Sequence, residues 1–123
     1  LDIVIDDGGH GMQQQIVTFE ETIDHMVSDG VYLCEDTHSS YSQNRPDAGL
    51  NAKGTFIEYA KSFVDQLNYY WLDLPEADPR AKKWQHFADT IGSVTFYDSV
   101  VVIEKRVGPG CKPASSAQGK PCV

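Results

Sequence analysis

LDIVIDDGGH (residues 1–10) and GVYLCED (residues 30–36) are the two stretches that decide how this sequence folds. Each is a short apolar, β-prone run that ends in acids. In the first, residues 1–5 make the body of a strand, Asp6 and Asp7 end it, and Gly8, Gly9 and His10 follow. In the second, Val31, Tyr32, Leu33 and Cys34 run into Glu35 and Asp36. Between them Met12, Ile16, Phe19, Ile23 and Met26 recur at spacings of four and three, which puts them on one face of a helix, with Glu20, Glu21 and Asp24 largely off it. Asp29-Gly30 is expected to end that helix, because glycine is at ease in the left-handed position after a helix C-terminus. Strand, helix and strand within about 35 residues is the length of a right-handed crossover between two parallel strands.

Outward from this unit the pattern continues. Residues 37–54 are polar, contain Asn44-Arg45-Pro46-Asp47 and two glycines, and read as a long loop. Loops longer than about 12–15 residues are usually functional or mobile. A second helix is expected from Thr55, with Phe56, Ala60, Phe63, Val64 and Leu67 as its buried stripe. Residues 68–71 are rich in aromatic side chains, and Pro75 and Pro79 break the pattern. Residues 80–89 suit a short helix carrying Trp84 and Phe87. In residues 93–106, Val94 and Phe96 and then residues 100–103 flank Tyr97-Asp98-Ser99, which predicts two strands joined by a tight turn. Beyond Val107 the composition turns to Gly, Pro, Ser and Ala, and residues 108–123 read as a disordered tail. There is no internal repeat. The order β-α-β-loop-α-β-β, with carboxylates where strands end, predicts an α/β open sheet, mostly parallel with a C-terminal antiparallel hairpin.

Composition narrows the function. Of 123 residues, 41% are hydrophobic and 23% charged, enough for a packed core in one domain. Lysine plus arginine is 10 and aspartate plus glutamate 18, a formal charge of −8. That argues against a nucleic-acid partner and against a polybasic membrane contact. The strongest apolar run, residues 100–103, is far shorter than the roughly 20 residues of a membrane span. There is no secretory pattern, and three cysteines without tight spacing make neither a disulfide framework nor a zinc motif. A reducing, cytoplasmic setting is the default expectation. Cys34 reads as a small buried hydrophobe, and a Cys111–Cys122 bridge in the tail stays open. The sequence begins inside a strand without an initiator methionine, so a piece of a longer protein is expected.

In an open α/β sheet, ligands bind beyond the carboxyl ends of the strands. That rule gathers Asp6, Asp7, His10, Glu35 and Asp36 on one rim. Parallel neighbours lie about 4.8 Å apart, so Asp7 and the Glu35-Asp36 pair can converge. Unneutralised carboxylates repel one another, and oxygen ligands suit a hard divalent ion such as Mg²⁺, with Mn²⁺ as substitute. An imidazole three residues beyond Asp7, after two glycines, is placed to serve as a general base near neutral pH. Acids at strand ends also occur with no function, and Asp-Asp-Gly often only marks a turn. Both strands ending in acids, with His10 beside one of them, is the sharper observation. His38 and Tyr41, in the loop after Glu35-Asp36, are candidate substrate contacts. His25 reads as solvated and His86 as structural. Tyr59, Tyr69, Tyr70 and Trp71 read as packing or oligomer surface.

Residues 1–10, the amphipathic helix and GVYLCEDTHSSY together resemble the C-terminal half of class I S-adenosylmethionine-dependent methyltransferases. The group is the macrocin O-methyltransferase type, with the related cephalosporin-hydroxylase-like proteins. SVTFYDSVVVIEKR (residues 93–106) is similar to the antiparallel hairpin that closes that sheet. The resemblance covers residues 1–107 and implies a partial Rossmann-like sheet, Mg²⁺ held by Asp7, Glu35 and Asp36, and His10 as the base. It further implies that Asp7 and Gly8 lie on the cofactor side, with S-adenosylmethionine as methyl donor. The expected reaction is O-methylation of a small hydroxylated molecule, a sugar of a natural product among the candidates, by a homo-oligomer. The glycine-rich loop and the ribose-binding acid of a complete enzyme are not in this sequence, so the chain alone is expected to be inactive. Two other readings stay open: a half-domain that serves as an interaction module, and a metal-dependent hydrolase using the same acids.

Overall fold

The structure, a computed structural model, describes residues 1–108 and residue 110. The tail expected to be disordered lies outside the described residues apart from 108 and 110, as do Cys111 and Cys122. Strand β1 (Ile3–Asp6) leads through helix α1 (Met12–Ile23) to strand β2 (Val31–Cys34). The long polar stretch opens with a 3₁₀ turn at Thr37–Tyr41. Helices α2 (Phe56–Lys61) and α3 (Phe63–Leu67) follow, then α4 (Ala81–Thr90) and the hairpin β3 (Ile91–Tyr97) and β4 (Val100–Lys105).

The sheet order is β1-β2-β4-β3. β1 and β2 pair in parallel, Ile3 opposite Val31 and Asp6 opposite Cys34. β4 is antiparallel to both β2 and β3. Three strands therefore point one way and β4 returns between them. This is the expected α/β sheet, mixed in its pairing. It also sets the carboxyl ends of β1 and β2 and the β3–β4 turn on one rim.

The helices supply one hydrophobic core against one face of the sheet. Tyr32 and Cys34 of β2 and Val101 and Ile103 of β4 are fully buried beneath Ile16, Phe19, Phe56, Ala60, Phe63 and Phe87. Phe19 meets Tyr32 edge-on with centroids 5.2 Å apart, and Phe63 meets Phe87 at 4.5 Å. Burying each such large side chain contributes about 1.5–3 kcal/mol.

Local chemistry explains where the elements depart from the sequence reading. The single second helix is two, because the Ser62 hydroxyl donates to the Tyr59 carbonyl at 2.6 Å and competes with the helical ladder. The change of direction leaves Val64 exposed and buries Gln66 in its place. α1 stops at Ile23, before Met26, which is buried just past the helix. The left-handed residue beyond it is Asp29 (φ 60°), not Gly30. Gly30 is needed for close approach instead: a Cβ there would lie 2.9 Å from the Val27 carbonyl and 3.2 Å from that of Asp2. Among the described residues no helix is long and apolar enough to cross a membrane.

Candidate metal and active site

β1 ends by burying one acid and exposing the next. Asp6 is buried and accepts the Tyr32 hydroxyl at 2.7 Å, and its other oxygen accepts the Gly8 amide at 3.4 Å. Asp6 is therefore a structural clamp between the strands rather than a rim acid. Burial, and then the Asp6 carboxylate, push the Tyr32 hydroxyl well above the ordinary tyrosine range. Asp7 follows on the exposed side. The chain turns through Gly8 and Gly9 without left-handed dihedrals, so these glycines do not act through φ. At Gly9 they give room: a Cβ would run into the Gln14 side chain, whose oxygen accepts the Gly11 amide at 3.1 Å before α1 begins.

β2 ends differently. The Glu35 amide donates to the Asp6 carbonyl at 2.9 Å, extending the parallel pairing. Asp36 then takes a left-handed backbone (φ 53°), uncommon for a residue with a side chain, and starts the 3₁₀ turn. That reversal carries its carboxylate toward the β1 end. His10 Nε2 lies 3.1 Å from Asp36 Oδ2, and His38 Nδ1 lies 3.8 Å from Asp36 Oδ1. One ligand atom each from Asp7, His10 and Asp36 falls within 4.8 Å of the others.

The structure thus brings together Asp7, His10 and Asp36, with His38 beside them. The Glu35 carboxylate is not part of that group, although its backbone is held in the site: the Gln15 side-chain amide donates to the Glu35 carbonyl at 3.1 Å from beneath. Tyr41 ends the 3₁₀ turn and is exposed. His25 is exposed, and His86 pairs with Asp24 at 3.0 Å on the helical side. Cys34 is buried just before the acids. Burial, and then Asp6, Asp36 and Glu35, push its thiol up to about 12, so it is no nucleophile at neutral pH.

Three participants escaped the sequence reading. Arg45 reaches back from the long polar stretch, and its guanidinium donates to the His10 carbonyl at 2.8 Å. Gln15 is buried on α1 under Glu35. Ser99 arrives on the β3–β4 turn. The return of β4 against β2 was the one signal that could have placed that turn on the rim. The donor set fits a hard divalent cation: two carboxylates, a third acid one residue away, and an imidazole 3.1 Å from one of them.

No family model matches the chain. Curated relatives do. The chain is 30% identical over 111 residues to the 8-demethyl-8-alpha-L-rhamnosyl tetracenomycin-C 2'-O-methyltransferase of Streptomyces olivaceus, covering 89% of this chain and 28% of the relative. It is 33% identical over 107 residues to the 3'-O-methyltransferase that acts on the 2-methoxy-rhamnosyl compound in the same organism, covering 85% of the chain and 26% of that relative. Among solved structures, MycE methyltransferase from the mycinamycin biosynthetic pathway, in complex with Mg and SAH, superimposes with a TM-score of 0.70 at 27% identity, covering 94% of this chain and 29% of MycE. A further MycE structure holds Mg, SAH and mycinamycin VI, with a TM-score of 0.68 at 26% identity. The fold is that of part of a methyltransferase sheet. The chain is thus similar to part of the sugar O-methyltransferases of the tetracenomycin and mycinamycin pathways, of whose length it spans little more than a quarter.

Proposed function

We propose that the protein is a Mg²⁺-dependent O-methyltransferase that uses S-adenosylmethionine to methylate a hydroxyl on a sugar-bearing small molecule. The observation that carries this reading is the convergence of Asp7, His10 and Asp36 at the ends of two parallel strands. The names of the relatives and the Mg and SAH held by MycE support it. On this reading residues 1–107 are the C-terminal half of the catalytic domain, and the reaction takes place in the cytoplasm.

Asp7 and Asp36 would hold the cation, and Glu35, whose carboxylate lies outside that cluster, would have to turn its side chain toward it to serve as the third protein ligand. A bound divalent ion would supply Lewis acidity that eases loss of the proton from a substrate hydroxyl, and S-adenosylmethionine would supply the methyl group. His10, whose Nε2 faces the Asp36 carboxylate at 3.1 Å, is the general base that takes the hydroxyl proton. The Asp36 carboxylate then stabilises the imidazolium and keeps the ring oriented, as a carboxylate does behind a catalytic histidine. Arg45 on the His10 carbonyl and Gln15 on the Glu35 carbonyl hold the two backbone segments that carry these groups. Asp7 and Gly8 lie on the cofactor side, and His38 and Tyr41 face the acceptor.

The test is transfer of a labelled methyl group by the whole protein to a rhamnosylated acceptor. His10→Ala should lower kcat by about 10²–10⁴-fold, the usual contribution of a general base, with metal affinity nearly unchanged. His25→Ala, in the exposed turn after α1, should change little. Near-full activity in His10→Ala would remove His10 from the mechanism.

A further inference from the structure

We propose that Ser99, in the β3–β4 turn, is a positioning residue that fixes the ring of His38 beside the acidic site so that its free nitrogen meets the hydroxyl-bearing substrate. The role of the substrate rests on the methyl-transfer reading; the Ser99–His38 contact does not.

The topology brings the two together. β4 runs back between β2 and β3, so the turn that feeds it sits at the carboxyl ends of the other strands. Two bonds then join the turn to the segment after Asp36. The Thr37 amide donates to the Ser99 carbonyl at 3.1 Å, and the Ser99 hydroxyl lies 2.6 Å from His38 Nδ1. His38 and Ser99 are 61 residues apart in sequence. The backbone supplies an independent argument. Ser99 has φ 60°, the left-handed region that glycine occupies without penalty and that a side chain disfavours. Serine offers this position one thing that glycine lacks, a hydroxyl, and that hydroxyl is on His38.

The consequence is chemical. A bond at Nδ1 fixes the rotation of the ring, with the hydroxyl able to donate or accept, and leaves Nε2 without a partner among the described residues. With Asp36 Oδ1 at 3.8 Å on the same side, the ring is held between the turn and the acid. Its outer edge is exposed, where a sugar hydroxyl adjacent to the reacting one could bond to it.

Ser99→Gly is the informative variant, because it removes the hydroxyl and relieves the left-handed backbone at once. Two readouts decide. In the 123-residue chain at about pH 8.5, long-range ¹H–¹⁵N correlation should show His38 nitrogen shifts displaced from those of a free imidazole. Ser99→Gly should move these shifts toward those of a free imidazole, with a melting temperature equal to or above that of the parent. In the whole protein the acceptor KM should rise about three- to tenfold, the worth of one hydrogen bond, with kcat and the S-adenosylmethionine KM unchanged. In a His38→Ala background Ser99→Gly should add nothing further. Identical His38 nitrogen shifts in parent and variant would overturn the positioning role. Shifted His38 nitrogens with unchanged acceptor KM, or a loss confined to kcat, would overturn the assignment of His38 to the substrate. If the parent protein transfers no methyl group, the methyl-transfer reading fails by itself, and the nitrogen-shift measurement still decides for or against the Ser99–His38 pair.

Discussion

At the scale of single residues, the site depends on a contrast between neighbours. Asp6 is turned in and bonded to Tyr32, while Asp7 is turned out beside His10 and Asp36. The alternation of a strand makes that contrast legible in the sequence, since successive side chains face opposite sides. Arg45, Gln15 and Ser99 were not legible, because each acts through a contact 35, 20 or 61 residues away that only the folded chain creates. The left-handed turn at Asp36 was hidden for another reason: an aspartate there carries no glycine to announce it. Tyr32→Phe tests the clamp. It deprives a buried carboxylate of a hydrogen bond, so urea unfolding should show a loss of about 1–3 kcal/mol. Unchanged stability would mean that Asp6 finds another donor.

At the scale of elements, both leading strands and α1 follow from apolar periodicity, and the hairpin from its turn. The break at Ser62 does not, because the stripe of Phe56, Ala60 and Phe63 continues through it and only the hydroxyl bond to Tyr59 redirects the chain. The exposure of Val64 is the result. The burial of β2 carries a consequence for pH. The Cys34 thiol is raised from 9.0 to about 12, and the Tyr70 hydroxyl is raised to about 12 by burial and by its bond to Asp89. Tyr32 is raised as well. Below about pH 8 these groups are protonated in both folded and unfolded chains, so their contribution to stability is complete. Above that pH the unfolded chain ionises first, and stability falls as pH rises toward the folded values. Urea midpoints at pH 7 and about pH 10.5 should therefore differ, and Cys34→Ala should recover about 1–2 kcal/mol of the difference. A midpoint unchanged over that range would contradict the burial of the thiol. At neutral pH Cys34 should resist iodoacetamide until the chain is unfolded.

At the scale of the whole molecule, the sheet is finished on one face. On the other face Ile5 lies opposite Leu33, and Leu33 opposite Val102. Ile3 and Ile5 remain 65% and 62% exposed. Among the described residues β1 pairs on one side only, so it offers both a free backbone edge and an apolar face. The 123-residue chain by itself should therefore self-associate, and light scattering should show it. Ile5→Lys, which puts a charge on the open strand, should shift it toward monomer, whereas a stable parent monomer would contradict the reading of that face as one made to be covered. The central claim is that two parallel strand ends, 26 or more residues apart in sequence, build one cation site. Isothermal titration of Mn²⁺ into the chain and into Asp7→Ala and Asp36→Ala tests it most directly. The account predicts one site in the parent and a loss of affinity of about tenfold or more in each variant, with His25→Ala unchanged. Equal affinity in the parent and both aspartate variants would contradict it.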